Sequence, residues 1–144
     1  MKHQIEVSPI VADAFKVAIK AQANSHSPYS HFAVGAALKF KNDEFIYPGC
    51  NVENASYGGT ICAERTAVFS RVANKGKGHL EFAVVLAHTT NPTYPCAMCL
   101  QVFSEFCEVD FPIYMGNENG LLKKMTFKDF LPHSFDTLSE GQRS

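Results

Sequence analysis

Two segments far apart in the chain, Cys62-Ala63-Glu64-Arg65 and Pro95-Cys96-Ala97-Met98-Cys99, carry three thiols and a carboxylate that a fold must bring to one point. A Cys-x-x-Cys pair alone could be a redox couple. A further cysteine two residues ahead of a glutamate makes a three-thiolate metal set the better reading. Each segment reads as the opening of a helix, so the fold has to set two loop-to-helix junctions side by side. Helix starts turn unpaired backbone N–H groups towards their surroundings, which favours thiolates there.

Cys62, Cys96 and Cys99 are the expected ligands, and zinc, one ion per chain, is the expected metal. Three protein ligands leave a tetrahedral zinc one open position, where water has its pKa lowered from about 15.7 towards about 7. Glu64 stands beside a ligand without being needed as one, and is free to carry protons. Three thiolates on a divalent ion leave the centre net negative. Arg65 is the adjacent cation, expected to hydrogen-bond a ligand sulfur.

Composition narrows the setting. The 144 residues suffice for one domain, 1–144, with a polar tail from about 138 to 144. Hydrophobic residues at 46% and charged residues at 19% describe a globular chain, with no apolar run of membrane-spanning length and no signal-peptide core. A net charge of −1 without a polybasic stretch argues against a partner that is a nucleic-acid polymer. Five cysteines, an odd number, suit a cytoplasmic protein rather than a disulfide framework, and Cys50 and Cys107 read as small buried hydrophobes.

Ser8-Pro9 opens an amphipathic helix over residues 9 to about 23, with Ser8 as N-cap. Ala33 to Phe40 and Phe45 to Val52 read as an antiparallel hairpin. A loop over residues 54–60 feeds a helix from about Ile61 to Asn74, stopped by Lys75-Gly76-Lys77-Gly78. Phe82 to His88 is an apolar run expected of a strand buried on both faces. A helix over Cys96 to Cys107, a strand over Phe111 to Met115, an edge strand over Leu121 to Thr126 and a helical turn over Phe127 to Leu131 follow. This alternation predicts a three-layer α/β/α sandwich around a mixed sheet of about five strands, with the site where loops enter helix N-termini.

The chain resembles the small homotetrameric zinc-dependent cytidine deaminases. The resemblance rests on Ser27-Pro28-Tyr29-Ser30-His31-Phe32-Ala33-Val34-Gly35-Ala36-Ala37-Leu38, Gly49-Cys50-Asn51-Val52-Glu53-Asn54-Ala55-Ser56-Tyr57, Cys62-Ala63-Glu64-Arg65, Pro95 to Gln101, and Phe130-Leu131-Pro132-His133-Ser134-Phe135, in family order. It implies hydrolytic deamination of cytidine and 2′-deoxycytidine in pyrimidine salvage, with zinc-activated hydroxide and Glu64 as proton shuttle. It further implies that Asn51 and Glu53 bind the ribose and that Phe32 packs on the nucleoside. Ala63 and the region of Ala55 would read the base edge. Tyr57 and Phe135 would reach across subunit contacts of a homotetramer with shared sites. His31 and His88 are expected to be structural or surface histidines.

Ala97 and Leu100 stand where the family usually has Gly and Arg. Ala97 suits a helix. Leu100 removes a cation next to a ligand and leaves more of the charge compensation to Arg65. Two rival readings remain at this level: a related deaminase of a modified cytidine or nucleoside antibiotic, and a non-catalytic zinc-stapled nucleoside-binding protein. The retained Glu64 speaks against the second.

Overall fold

The computed structural model describes residues 2–135. Helix α1 (Pro9–Gln22) starts at a proline whose fixed φ suits the first helical turn. Ser8 occupies the N-cap position, but its side chain makes no capping bond; its carbonyl accepts from Ala12 N instead. The buried stripe Val11, Ala14, Phe15, Ala18 and Ala21 recurs at helical spacing and lies against one face of the sheet.

Strand β1 (Val34–Phe40) pairs antiparallel with β2 (Ile46–Cys50) as a hairpin, and on its other side with β3 (Leu80–Ala87). Strand β4 (Pro112–Asn117) runs parallel to β3, and β5 (Gly120–Thr126) returns antiparallel, giving the order β2-β1-β3-β4-β5. Helix α2 (Ala63–Lys75) follows β2, α3 (Ala97–Ser104) crosses from β3 to β4, and α4 (Phe127–Phe130) is a single turn closed by Thr126 and Asp129. The expected three-layer sandwich with a mixed five-stranded sheet is what the chain adopts.

Alternation along the buried strands builds two cores. Ala83 and Val85 of β3 join Leu38, Phe40, Ala67, Val68, Leu100 and Phe103 beneath α2 and α3. Phe82, Val84 and Leu86 face the opposite way, with Ala37 and Tyr114, onto α1. The continuous apolar run of β3 is thus buried on both faces, as its sequence predicts.

The boundaries shift where tertiary bonds override local pattern. Strand β2 stops at Cys50 rather than Val52, because Val52 exchanges both backbone bonds with Ile61 (2.9 and 3.0 Å). That exchange fixes the residue immediately before Cys62. Helix α3 ends at Ser104 rather than Cys107, since the Phe106 carbonyl turns back to accept from Leu80 N at the start of β3 (2.7 Å). Phe111 lies outside β4, packed edge-on against Phe103 with its carbonyl held by Phe127 N. The polar tail expected at 138–144 lies outside the described residues.

Close approach of α2 to the hairpin depends on Gly49. A Cβ there would lie 2.1 Å from the Ala63 carbonyl, so only glycine lets the helix start sit on β2. No described helix is long and apolar enough to cross a membrane.

The far end of α2 is tied to the hairpin tip through buried Asp43. Its carboxylate accepts from Tyr47 OH (2.7 Å), Phe45 N (3.0 Å) and Lys75 Nζ (3.1 Å), and Arg71 Nε forms an ion pair at 3.2 Å without hydrogen-bond alignment. The Tyr47 bond foremost, against the cost of burial, holds Asp43 well below the usual carboxylate range. A depressed folded-state pKa contributes stability above the unfolded value, and that contribution is lost as pH falls towards the folded one. Thermal unfolding across pH should therefore show Asp43→Asn melting below wild type at neutral pH, with the gap narrowing only below about pH 4.

Candidate metal centre and active site

Cys62 and Cys96 are the N-cap residues of α2 and α3, with nearly identical extended backbones (φ −73°, ψ 157° and φ −75°, ψ 165°). Neither sulfur caps its own helix, so both are available to a ligand in front of two helix N-termini. Cys99, one turn into α3, is fully buried. The Sγ atoms of Cys62 and Cys96 lie 3.8 Å apart, those of Cys96 and Cys99 3.6 Å, and all three fall within 4.8 Å of one another. Zinc–sulfur bonds of about 2.3 Å in a tetrahedron require sulfur–sulfur edges of about 3.8 Å. The donor set fits zinc in size and softness. Among the described residues no histidine, carboxylate or further cysteine joins it, so one coordination position stays open.

Arg65, buried under the first turn of α2, donates from Nη2 to Cys62 Sγ at 3.1 Å. Burial works against its charge, but its bonds to Cys62 and Cys99 outweigh that and keep the guanidinium protonated. The Cys62 thiol is drawn down to about 5 by a bond from Cys99 first, against the cost of burial, and then by Arg65. Cys99, as the donor in that bond and buried, is held up. Glu64 is 4% exposed, and burial foremost, then the Cys62 charge, pushes its carboxyl above the ordinary range.

The end of the hairpin is tied to the segment before Cys62 by the Val52–Ile61 exchange. Asn51, buried at the end of β2, donates from Nδ2 to Phe32 O (2.7 Å) and accepts at Oδ1 from Val34 N (2.9 Å) and Ser25 Oγ (2.5 Å). Glu53 Oε1 accepts from Tyr29 N (3.0 Å) and Ser30 N (3.1 Å), and Oε2 from the Ser30 hydroxyl. The Ser30 bonds foremost, against burial, lower the Glu53 pKa and keep it ionised. Tyr29, Ser30, Glu53, Tyr57 and Thr60 line a cavity of about 230 Å³. Tyr29 stacks edge-on to Tyr57 at 5.3 Å.

The residues implied by resemblance divide into two groups. Cys62, Ala63, Glu64, Arg65, Cys96 and Cys99 converge, and Asn51 and Glu53 fix the loop bearing Phe32. Phe32, Ala55, Tyr57 and Phe135 are exposed, Tyr57 at 71% and Phe135 at 67%, with Phe135 O held by Gln101 Nε2 at 2.5 Å. Sequence reasoning passed over Ser25 and Ser30 as partners of Asn51 and Glu53; their hydroxyls within the Ser-x-Ser-Pro-Tyr-Ser run were the available signal. Leu100 is buried beneath α3 in the core, so this position contributes packing rather than charge. His88 is a surface histidine, paired with Glu118. Cys50 and Cys107 are half-buried, and burial pushes the Cys107 thiol up to about 12.

Residues 10–115, which include every thiol of the centre, match the sequence model of the cytidine and deoxycytidylate deaminase zinc-binding region. The chain belongs to the cytidine and deoxycytidylate deaminase family. Within it, the chain is similar to the cytidine deaminase of Halalkalibacterium halodurans, at 43% identity over 83% of this chain and 89% of that one. Its similarity to the cytidine deaminase of Sporosarcina psychrophila is 40% over 91% and 92%. In structure it resembles the cytidine deaminase of Burkholderia pseudomallei, with a TM-score of 0.80 at 38% identity, covering 86% of this chain and 98% of that one. Zinc is the metal of this deaminase family, and Cys62, Cys96 and Cys99 form the site that fits it.

Thiol titration checks the donor set. Zinc-loaded protein should leave at most Cys50 and Cys107 open to a thiol reagent, and removal of zinc by a chelator should bring Cys62 and Cys96 into reaction at once. A reagent that labels Cys96 at the same rate before and after chelation would contradict this arrangement.

Proposed function

We propose that this chain hydrolyses the exocyclic amine of cytidine and 2′-deoxycytidine, releasing ammonia and giving uridine and 2′-deoxyuridine. The observation that carries the reading is a group of three thiols, one short of a closed tetrahedral set, with the buried Glu64 carboxyl two residues from one of them. A structural zinc is closed by four protein ligands and has no use for Glu64. The curated relatives named as cytidine deaminases support the choice of substrate.

Bound zinc supplies an activated water at neutral pH. Glu64 then has two tasks. It takes one proton from the attacking water and delivers it to N3 as the oxygen bonds to C4; it then takes the proton of the new C4 hydroxyl and gives it to the amine, so that the C4–N bond breaks to ammonia and a C4 carbonyl. Its burial serves both, since a carboxyl of raised pKa can hold a proton between transfers. Arg65 offsets the net negative charge of three thiolates. The Ala63 main chain, at the first turn of α2, and the region of Ala55 read the base edge. Asn51 and Glu53 hold the ribose, Glu53 accepting from a free 3′-hydroxyl, which favours nucleosides over polymers. Phe32 packs on the nucleoside.

The assembly in this reading is a homotetramer. Tyr57, which lines the open cavity with Tyr29, is exposed, and so are Phe32, Met98 and Phe135, as expected of apolar groups that neighbouring chains cover. Thiolate ligands and an odd cysteine count suit a reducing compartment, so the location is cytoplasmic.

Absorbance loss on mixing zinc-loaded protein with cytidine tests the reaction. Glu64→Gln should lower kcat by about a thousandfold or more at unchanged zinc content, because a positioned acid–base group contributes about 10² to 10⁴. Equal rates for both proteins would remove Glu64 from the chemistry, and a wild-type protein inert towards cytidine would remove the substrate. Sedimentation should show a tetramer, and Tyr57→Ala should raise KM for cytidine. A fully active monomer would exclude shared sites.

A further inference from the structure

The two halves of the metal site are anchored differently. Cys62 is fixed by main chain on both sides: Ile61 exchanges two backbone bonds with Val52, and Thr66 N and Oγ1 both donate to Cys62 O. Cys96 has the same helix-side bond, its carbonyl accepting from Leu100 N at 3.0 Å, but on its other side lies a loop over residues 88–95. Among the described residues, the only main-chain bond of that loop short of the helix joins Thr89 N to Ala87 O. Side chains hold the rest: Tyr94 packs on Phe130 and meets Lys123 at the surface, and the bonds within the loop converge on Thr89.

Asn117 ends β4, the parallel neighbour of β3, and is buried. Its Nδ2 donates to Thr89 O at 2.8 Å, while its Oδ1 accepts from Asn119 N at 2.9 Å and closes the β4–β5 turn. Thr89 Oγ1 then donates to Asn91 O (2.6 Å) and meets Thr93 Oγ1 (3.1 Å), bracing the loop as it runs towards Pro95. Pro92 and Pro95 fix φ at two further points, so little freedom remains once Thr89 is held.

We propose that Asn117, acting through Thr89, is a positioning residue that presents Cys96 to the metal. Its amide couples the end of a core strand to an approach that, among the described residues, carries a single main-chain bond of its own. The inference rests on the zinc reading above, and its test separates the two: wild type must first bind one zinc per chain.

Asn117→Asp keeps the size and the acceptor for Asn119 N but replaces the donor to Thr89 O with an oxygen. Thr89→Val keeps that carbonyl and removes the brace within the loop. Zinc transfer to excess chromogenic chelator should be about tenfold faster or more in both variants, the scale of losing an outer partner of a ligand. Alkylation of the zinc-loaded protein without chelator, stopped before one label per chain and read by mass spectrometry, should place the added label first on Cys96 and ahead of Cys62. A general loss of stability would raise both cysteines together, and that result overturns the proposal. Zinc release at the wild-type rate from both variants overturns it equally.

Discussion

Everything near the centre depends on two helix N-termini converging with a cysteine as the N-cap of each. Three sulfurs within bonding reach of one ion would repel one another as thiolates. Two sets of unpaired N–H groups and one buried guanidinium offset that charge. The rest of the sandwich keeps those junctions in register. Strand β3 leads the chain to one, β2 leads it to the other, and Gly49 allows the approach that brings them level. The site is therefore a property of the sheet's packing as much as of the four residues that name it.

The same helix turn solves a second problem. Glu64 follows Cys62 by two residues on α2, so the carboxyl is carried into the protein on the element that delivers the ligand. Burial that would be a plain cost elsewhere raises its pKa, which is what the proposed role as acid and base asks of it. Arg65, the next residue, turns to the sulfur. Ligand, proton carrier and counter-charge are thus consecutive features of one helix start, which explains how a short stretch of sequence can announce so much.

Legibility followed how local the determinants are. The apolar run of β3, the stripe of α1 and the thiol spacing are local patterns, and the layers and the metal set could be read from them. Boundaries set by distant bonds could not. Val52 leaves β2 because Ile61 competes for its backbone, and α3 stops early because Leu80 takes the Phe106 carbonyl. Asn51 and Glu53 were recognisable by resemblance, but their ties to Ser25, Ser30 and the backbone of residues 29–34 depend on a loop fold that no periodicity encodes. Leu100, which as sequence looked like a missing charge, is a core residue, and only its burial reveals that.

The margins of the sheet have their own consequence. On one side β2 carries Pro48, which lacks an N–H. On the other, β5 bears Lys123 and Lys124, and Leu121 is already occupied by Gln4 and His3 of the leading segment. Neither border offers a long, uncharged row of hydrogen-bonding groups to a foreign strand. Copies of this chain are thereby steered away from extending one another's sheets into open-ended polymers. Any contact between copies would fall instead to helices, loops and the exposed aromatic rings, surfaces that carry no backbone ladder to repeat.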